Sequence, residues 1–158
     1  IIAQIYGHTP ELFDQAAHVV CGLGFDGLDI NMGCPAKNVA ASGSGAALIR
    51  TPELAREIIR ATRRGIEDWC AGQSLENLGL RRKLIETVRS ANEQRSGRAA
   101  PDCRRAIPLS VKTRIGYDQI VIEDWLRNLL AESPVAISIH GRRSPRRSMR
   151  TFPACRRC

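Results

Sequence analysis

The chain has 158 residues, 43% of them apolar and 25% charged, which is enough for one domain with a real core and is not the composition of a disordered chain. No apolar run approaches the roughly 20 residues that span a bilayer, and no basic-then-apolar leader precedes the first strand, so the cytoplasm is the expected compartment. Residues 141–158 hold seven Arg and no acid, so of the net charge of +8 only +1 belongs to residues 1–140, and the basic balance is a weak pointer to nucleic acid.

Residues 1–7 (Ile-Ile-Ala-Gln-Ile-Tyr-Gly) read as a strand with no turn or cap before it, so the chain is expected to begin in mid-domain. Thr9-Pro10-Glu11-Leu12 opens a helix, with Thr as N-cap, Pro at the first helical position and an acid near the positive end of the dipole. Leu12, Phe13, Ala16, Ala17 and Val20 give it an apolar face, and Gly22 and Gly24 end it. Gly27-Leu28-Asp29-Ile30-Asn31 is a second, alternating strand. The same tetrapeptide, Thr51-Pro52-Glu53-Leu54, then opens another helix with Leu54, Ile58 and Ile59 facing inward. A repeated βα unit predicts a parallel sheet.

From residue 66 to 106 the pattern changes, and the segment reads as an insertion. Residues 75–94 suggest one helix with a heavily charged surface, 96–101 a loop, and the whole a solvated excursion; Arg81, Arg82 and Lys83 are its candidates for RNA contact. Residues 107–118 hold the next strand and its exit turn, with Lys112 and Arg114 on one face. A helix follows with Trp125, Leu126, Leu129 and Leu130 as its buried stripe. A fourth strand ends in His140-Gly141-Arg142. Residues 143–158 show no periodicity and no apolar face, which suggests a frameshifted or disordered basic tail.

The six cysteines (Cys21, Cys34, Cys70, Cys103, Cys155, Cys158) form no close disulfide framework and read as free thiols. Cys155 and Cys158 have CxxC spacing, but no second Cys or His pair accompanies them, so no metal site is expected. Cys21 reads as a small core residue. His8 and His18 read as surface or helix residues. Cys34 is different. In Asn31-Met32-Gly33-Cys34-Pro35-Ala36-Lys37 it follows a strand on a turn stiffened by Gly33 and Pro35, between an amide and a cation. Gly43-Ser44-Gly45 lacks the third Gly and the downstream acid of a dinucleotide fingerprint, and reads as a turn and close-packing device.

The run N-M-G-C-P-A-K-N-V with G-S-G-A-A-L-I resembles the signature of the tRNA-dihydrouridine synthases. Q-I-Y-G, V-K-T-R-I-G and H-G-R follow the family's order. The resemblance implies an α/β chain: a partial (β/α)8 TIM barrel of about four βα units, over residues 1–142, with a helical insertion and an irregular tail. Gln4, Asn31 with Cys34, Lys112 with Arg114, and His140 then fall at the C-terminal ends of successive strands, where such barrels collect their catalytic groups.

It also implies roles. Gln4, Asn31, Lys112 and His140 would hold FMN, with Lys112 facing the isoalloxazine edge that gains negative charge on reduction. Lys37 and Arg114 would contact tRNA. Cys34 would be the catalytic acid: the flavin gives a hydride to uracil C6, and a thiol, protonated at neutral pH, gives a proton to C5. NADPH would be the reductant. The resemblance leaves the tail unmatched, so the chain is expected to be an incomplete piece of such an enzyme. Two rival readings are a barrel aldolase with Lys112 as Schiff base and an inactive RNA-binding remnant.

Overall fold

Alternation along each strand gives the sheet two unlike faces, and that difference places everything else. The computed structural model describes residues 1–96, 104–132 and 135–140, without the side chains of residues 95, 96 and 140. Four strands, β1 (Ile2–Ile5), β2 (Gly27–Met32), β3 (Leu109–Arg114) and β4 (Ala136–His140), form one parallel sheet in chain order. Among the described residues five α-helices accompany them: α1 (Pro10–Gly22), α2 (Lys37–Ala41), α3 (Pro52–Cys70), α4 (Arg82–Ser96) and α5 (Ile122–Leu130). The α/β class and the parallel sheet expected from the repeated βα units are what the chain forms.

On one face of the sheet, Leu28, Ile30 and Met32 of β2 and Leu109 and Val111 of β3 pack on Phe13, Ala17 and Val20 of α1, Ile58 and Ile59 of α3, and Trp125 and Leu129 of α5. Each fully buried Leu, Ile or Met contributes about 1.5–3 kcal/mol. A polar pair inside this layer is satisfied: the Trp125 indole N–H donates to Thr113 Oγ1 at 2.8 Å. At the α1–α3 crossing, a Cβ added to Gly65 would lie 2.5 Å from the Asp14 carbonyl oxygen and 2.9 Å from Ala17 Cβ. Only glycine allows that approach.

Both Thr-Pro-Glu-Leu segments start helices as expected, but neither Thr side chain caps. The Thr9 carbonyl instead accepts from the Leu12 and Phe13 amides at 3.1 and 3.3 Å, with Pro10 supplying the helical φ. Leu12 and Leu130, expected to face inward, are 60% and 52% exposed. Each sits beside the narrow stripe that reaches the sheet, Phe13-Ala17-Val20 in α1 and Trp125-Leu129 in α5. His18 lies in α1 but is wholly buried, its Nδ1 2.9 Å from the Asp14 carbonyl oxygen.

The segment read as an insertion departs from expectation in three ways. Helix α3 runs on through buried Ile66 to Cys70, so the change of structure comes later than residue 66. The expected helix over 75–94 is broken in two: a 3-10 helix, Leu75–Leu78, stops at Gly79 (φ +67°), and α4 begins at Arg82. Nor is it a solvated excursion. Leu75, Ile85 and Val88 are buried against Val19, Leu23 and Trp69, making a second small core on the outer side of α1. Gly22 lies against this cluster, with the Trp69 ring, Val88 and Leu75 at ordinary contact distance from its Cβ direction. A cleft of about 410 Å³ between α3 and α4, lined by Trp69, Glu76, Arg89 and Arg104, lies away from the strand ends. Arg81, Arg82 and Lys83 are exposed.

A buried carboxylate fastens α3 to the end of α5. Arg56 Nε donates to Glu132 Oε1 at 2.8 Å, Arg60 donates to both oxygens at 2.7 and 2.9 Å, and the Arg63 guanidinium donates to the Glu132 carbonyl. The hydrogen bond from Arg60, aided by Arg56, holds the Glu132 carboxyl below the usual range against the opposing effect of burial. Buried charge is tolerable only when partnered in this way.

The loop over 96–101 and the basic tail over 143–158, with its CxxC spacing, lie outside the described residues, apart from the helical Ser96. Among the described residues no helix is long and apolar enough to cross a membrane.

Candidate active site at the carboxyl ends of the strands

The second face of the sheet carries the residues that alternate with the core: Gln4 on β1, Asp29 and Asn31 on β2, Ser110, Lys112 and Arg114 on β3, Ser138 on β4. Cα register pairs Gln4 with Asp29, Asn31 with Lys112, Lys112 with Ser138, and Arg114 with His140. The expected site residues are therefore not level. Gln4 lies one step below Asn31 and Lys112, and His140 one step above, the stagger that a tilted parallel sheet requires.

Hydrogen bonds close the gap. Asn31 Nδ2 donates to Gln4 Oε1 at 3.2 Å, and Gln4 Nε2 donates to Asp29 Oδ2 at 2.6 Å. The Ser110 hydroxyl donates to Asp29 Oδ1 at 2.6 Å. Asn31 Oδ1 accepts the Gly33 amide at 3.1 Å, which turns the chain directly into Cys34. One connected polar strip thus runs from β3 through β2 and β1 back to the cysteine turn.

Cys34 is a half-buried free thiol between β2 and α2. Two glycines set its place. A Cβ on Gly33 would stand 3.1 Å from the Thr113 backbone carbon and 3.2 Å from Arg114 Cγ, so the turn crosses tightly over the end of β3 beside Arg114. Gly45 (φ +61°) lies under the turn: its amide neighbour Ala46 donates to the Cys34 carbonyl at 3.0 Å, and a Cβ there would be 2.8 Å from that same oxygen. The Gly-Ser-Gly segment is the close-packing turn the sequence suggested. Ser44 in it is buried, and His8 Nδ1 of the β1–α1 loop lies 3.2 Å from Ser44 Oγ.

Of the expected site residues, Gln4, Asn31 and Cys34 are thus joined through side-chain and turn contacts. Lys112 and Arg114 share their face and are half-buried. Lys37 is exposed as the first residue of α2. For His140 the structure gives its strand position alone, at the end of β4 opposite Arg114. The sequence reading missed Asp29 and Ser110, although alternation in Gly27-Leu28-Asp29-Ile30-Asn31 already puts Asp29 on the face of Asn31. It also missed Arg50, whose guanidinium stacks on the Tyr117 ring at 5.3 Å between the loops after β2 and β3. That pairing is long-range and leaves no local signal.

Burial, with Cys70 nearby, pushes the Cys21 thiol up to about 12, and burial also raises Cys70. Cys21 is the inert core residue expected of it. Among the described residues no group of three or more His, Cys, Asp or Glu side chains could hold a metal.

Parallel strands in chain order, apolar toward a layer of helices and polar at their carboxyl ends, are the arrangement of a (β/α)8-barrel segment. A family model described as dihydrouridine synthase (Dus) matches residues 1–69. The probable tRNA-dihydrouridine synthases of Staphylococcus aureus (strain Mu50) and Staphylococcus epidermidis (strain RP62A) are each 32% identical over 141 residues, 89% of this chain and 31% of theirs. The probable tRNA-dihydrouridine synthase 2 of Bacillus subtilis (strain 168) is 33% identical over the same shares. The chain belongs to the dihydrouridine synthase family, and it spans about a third (31%) of the length of the curated relatives it matches. These matches give no support to the aldolase or remnant readings.

Proposed function

We propose that the chain carries the uridine-reducing site of a flavin-dependent tRNA-dihydrouridine synthase, working in the cytoplasm with NADPH as external reductant. The observation that supports this reading most is the convergence of an amide pair (Gln4, Asn31), a cation (Lys112) and a thiol (Cys34) at one polar end of the sheet. That set suits FMN: the amide N–H groups and the ammonium face one side, as the carbonyl-bearing edge of an isoalloxazine requires. A bound flavin supplies the hydride received by uracil C6.

The residues of the chain do the rest. Gln4 and Asn31 orient the ring by N–H donation, and the Lys112 ammonium stabilises negative charge beside it, acting most strongly where water is excluded. His140, two positions beyond Ser138 at the end of β4, is the fourth residue assigned to the flavin in this reading. Cys34 Sγ holds the proton for uracil C5 and releases it as C6 is reduced. A turn pinned by Asn31 and Gly45 keeps the thiol where the base must arrive, because proton transfer needs hydrogen-bond reach. Arg114, beside that turn, and Lys37, at the start of α2, take RNA phosphate or the flipped base in this reading.

Cys34→Ala is the test. The variant should keep the flavin absorbance of the parent while dihydrouridine formation in an unmodified tRNA transcript falls by about a hundredfold or more, the scale of a lost general acid. Wild-type rates in Cys34→Ala would remove the thiol from the mechanism. Absence of flavin from Gln4→Ala and Lys112→Ala, with folding intact, is expected; full flavin content in both would remove them from the cofactor site.

A further inference from the structure

The polar strip has a direction, and Asp29, a residue outside the proposed flavin-binding set, fixes one end of it. Amide side chains can usually be turned either way, since O and N are nearly the same size. Here both ends of the strip are fixed. At one end Asp29 is a carboxylate, which only accepts: Oδ1 takes the Ser110 hydroxyl and Oδ2 takes Gln4 Nε2, both at 2.6 Å. At the other end the Gly33 backbone N–H, which only donates, takes Asn31 Oδ1 at 3.1 Å. Between an acceptor-only end and a donor-only end, Gln4 and Asn31 have one consistent orientation each. Gln4 turns Nε2 toward Asp29 and Oε1 toward Asn31 Nδ2, 3.2 Å away.

Each amide spends one N–H on this chain of bonds and keeps one. Gln4 and Asn31 share the sheet face of Lys112, so these two N–H groups are the donors the pair has left to offer there. Turned over, the same amides would offer carbonyl oxygens there and would repel a ring edge rich in oxygen.

We propose that Asp29, braced by Ser110, is a positioning residue that sets the donor polarity of the Gln4–Asn31 pair, so that the site selects a ring edge bearing acceptors, such as the pyrimidine side of an isoalloxazine. The identity of the ring rests on the functional reading above; the polarity does not. Charge-assisted bonds are about twice as strong as neutral ones, which is why a carboxylate, and not another amide, suits position 29.

Three chains test this: wild type, Asp29→Asn, and the swap Gln4→Glu with Asp29→Asn, which restores a carboxylate–amide pair but inverts its direction. FMN affinity is read by flavin fluorescence, and folding by thermal melting. The side-chain amide signals of Gln4 and Asn31 are read by 1H–15N NMR without flavin. Asp29→Asn should weaken FMN by about tenfold or more, and the swap should regain the wild-type melting temperature without regaining FMN. Ser110→Ala, which leaves the acceptor in place, should stay within about threefold of wild type.

FMN binding unchanged in Asp29→Asn, or restored by the swap, overturns the proposal, because a merely structural pair would behave that way. If the wild-type chain itself takes up no FMN, the flavin reading fails and the amide signals decide the polarity. They should shift and exchange faster in Asp29→Asn; identical spectra would refute the assignment.

Discussion

Replacing Gly45 by Ala separates two costs that the cysteine turn avoids. Gly45 has φ +61°, in the left-handed region, and its missing Cβ leaves room for the Cys34 carbonyl oxygen at 2.8 Å, Val39 Cγ1 at 2.9 Å and Cys34 Cβ at 3.1 Å. The backbone penalty for an L-residue there is about 1 kcal/mol. The steric penalty is separate, because two of the three neighbours belong to Cys34 itself, and overpacking of this kind costs about 1–3 kcal/mol. The sum is about 2–4 kcal/mol out of the roughly 5–15 kcal/mol that a domain possesses.

Gly79 supplies the control. It has φ +67° and nothing within 4 Å of an added Cβ, so Gly79→Ala incurs the backbone penalty alone. Urea melts of the two variants should differ by about 1–3 kcal/mol. Relief of the clash must also push the Cys34 turn off Gly45, so the rate of Cys34 alkylation, followed by peptide mapping, should change in Gly45→Ala and not in Gly79→Ala. Equal melts and equal alkylation rates would refute the claim that Gly45 holds the thiol in place.

Other consequences follow from the packing and the charges. Gly65→Ala should destabilise by about 1–3 kcal/mol in thermal melts, since its Cβ would overlap the Asp14 carbonyl at 2.5 Å; a neutral result would mean that α1 and α3 can part freely. Ile85→Ala should cost about 2–3 kcal/mol and speed proteolysis within α4, with a change in Trp69 emission; unchanged protection would show that α4 is not docked. Glu132 has its carboxyl depressed by Arg60 and Arg56, so the stability it adds is present above the unfolded value and is lost as pH falls through the folded one. The stability gap between wild type and Glu132→Gln should therefore fade below about pH 4.5. A gap constant from pH 7 to pH 3 would place the role of Glu132 elsewhere.

What could be read in the sequence was what repeats at short range. Alternation in Gly27-Leu28-Asp29-Ile30-Asn31 and in Leu109-Ser110-Val111-Lys112-Thr113-Arg114 marks both the strands and their faces. Thr-Pro-Glu-Leu marks two helix starts through the fixed φ of proline, even though the threonine side chains do no capping. The stretch 75–94 misled because leucines and charges alternate there at helical spacing on both sides of Gly79, and periodicity does not register one left-handed residue. The docking of Leu75, Ile85 and Val88 on α1 was hidden for another reason: the α1 residues they pack against, Val19 and Leu23, lie more than fifty residues earlier in the chain. Nothing local in the sequence marks Glu132, because its three arginine partners lie 69 to 76 residues earlier.

The two faces of the sheet divide the work between stability and chemistry, and the cysteine turn is where they meet. Ile30 and Val111 can be altered only at the expense of the core, whereas Asp29, Asn31, Ser110 and Lys112, one residue away along the same strands, alternate with it and are only half-buried. Changes on the polar face should therefore affect ligand binding more than folding, which is what makes the Asp29→Asn and swap experiments readable. The exceptions are Gly33 and Gly45. Neither bears a reactive group, yet each fixes Cys34 by close backbone approach, Gly33 against β3 and Gly45 against the cysteine's own carbonyl. A substitution at either position should lower stability and displace the thiol together. That coupled effect distinguishes residues that hold the site in place from residues that line it.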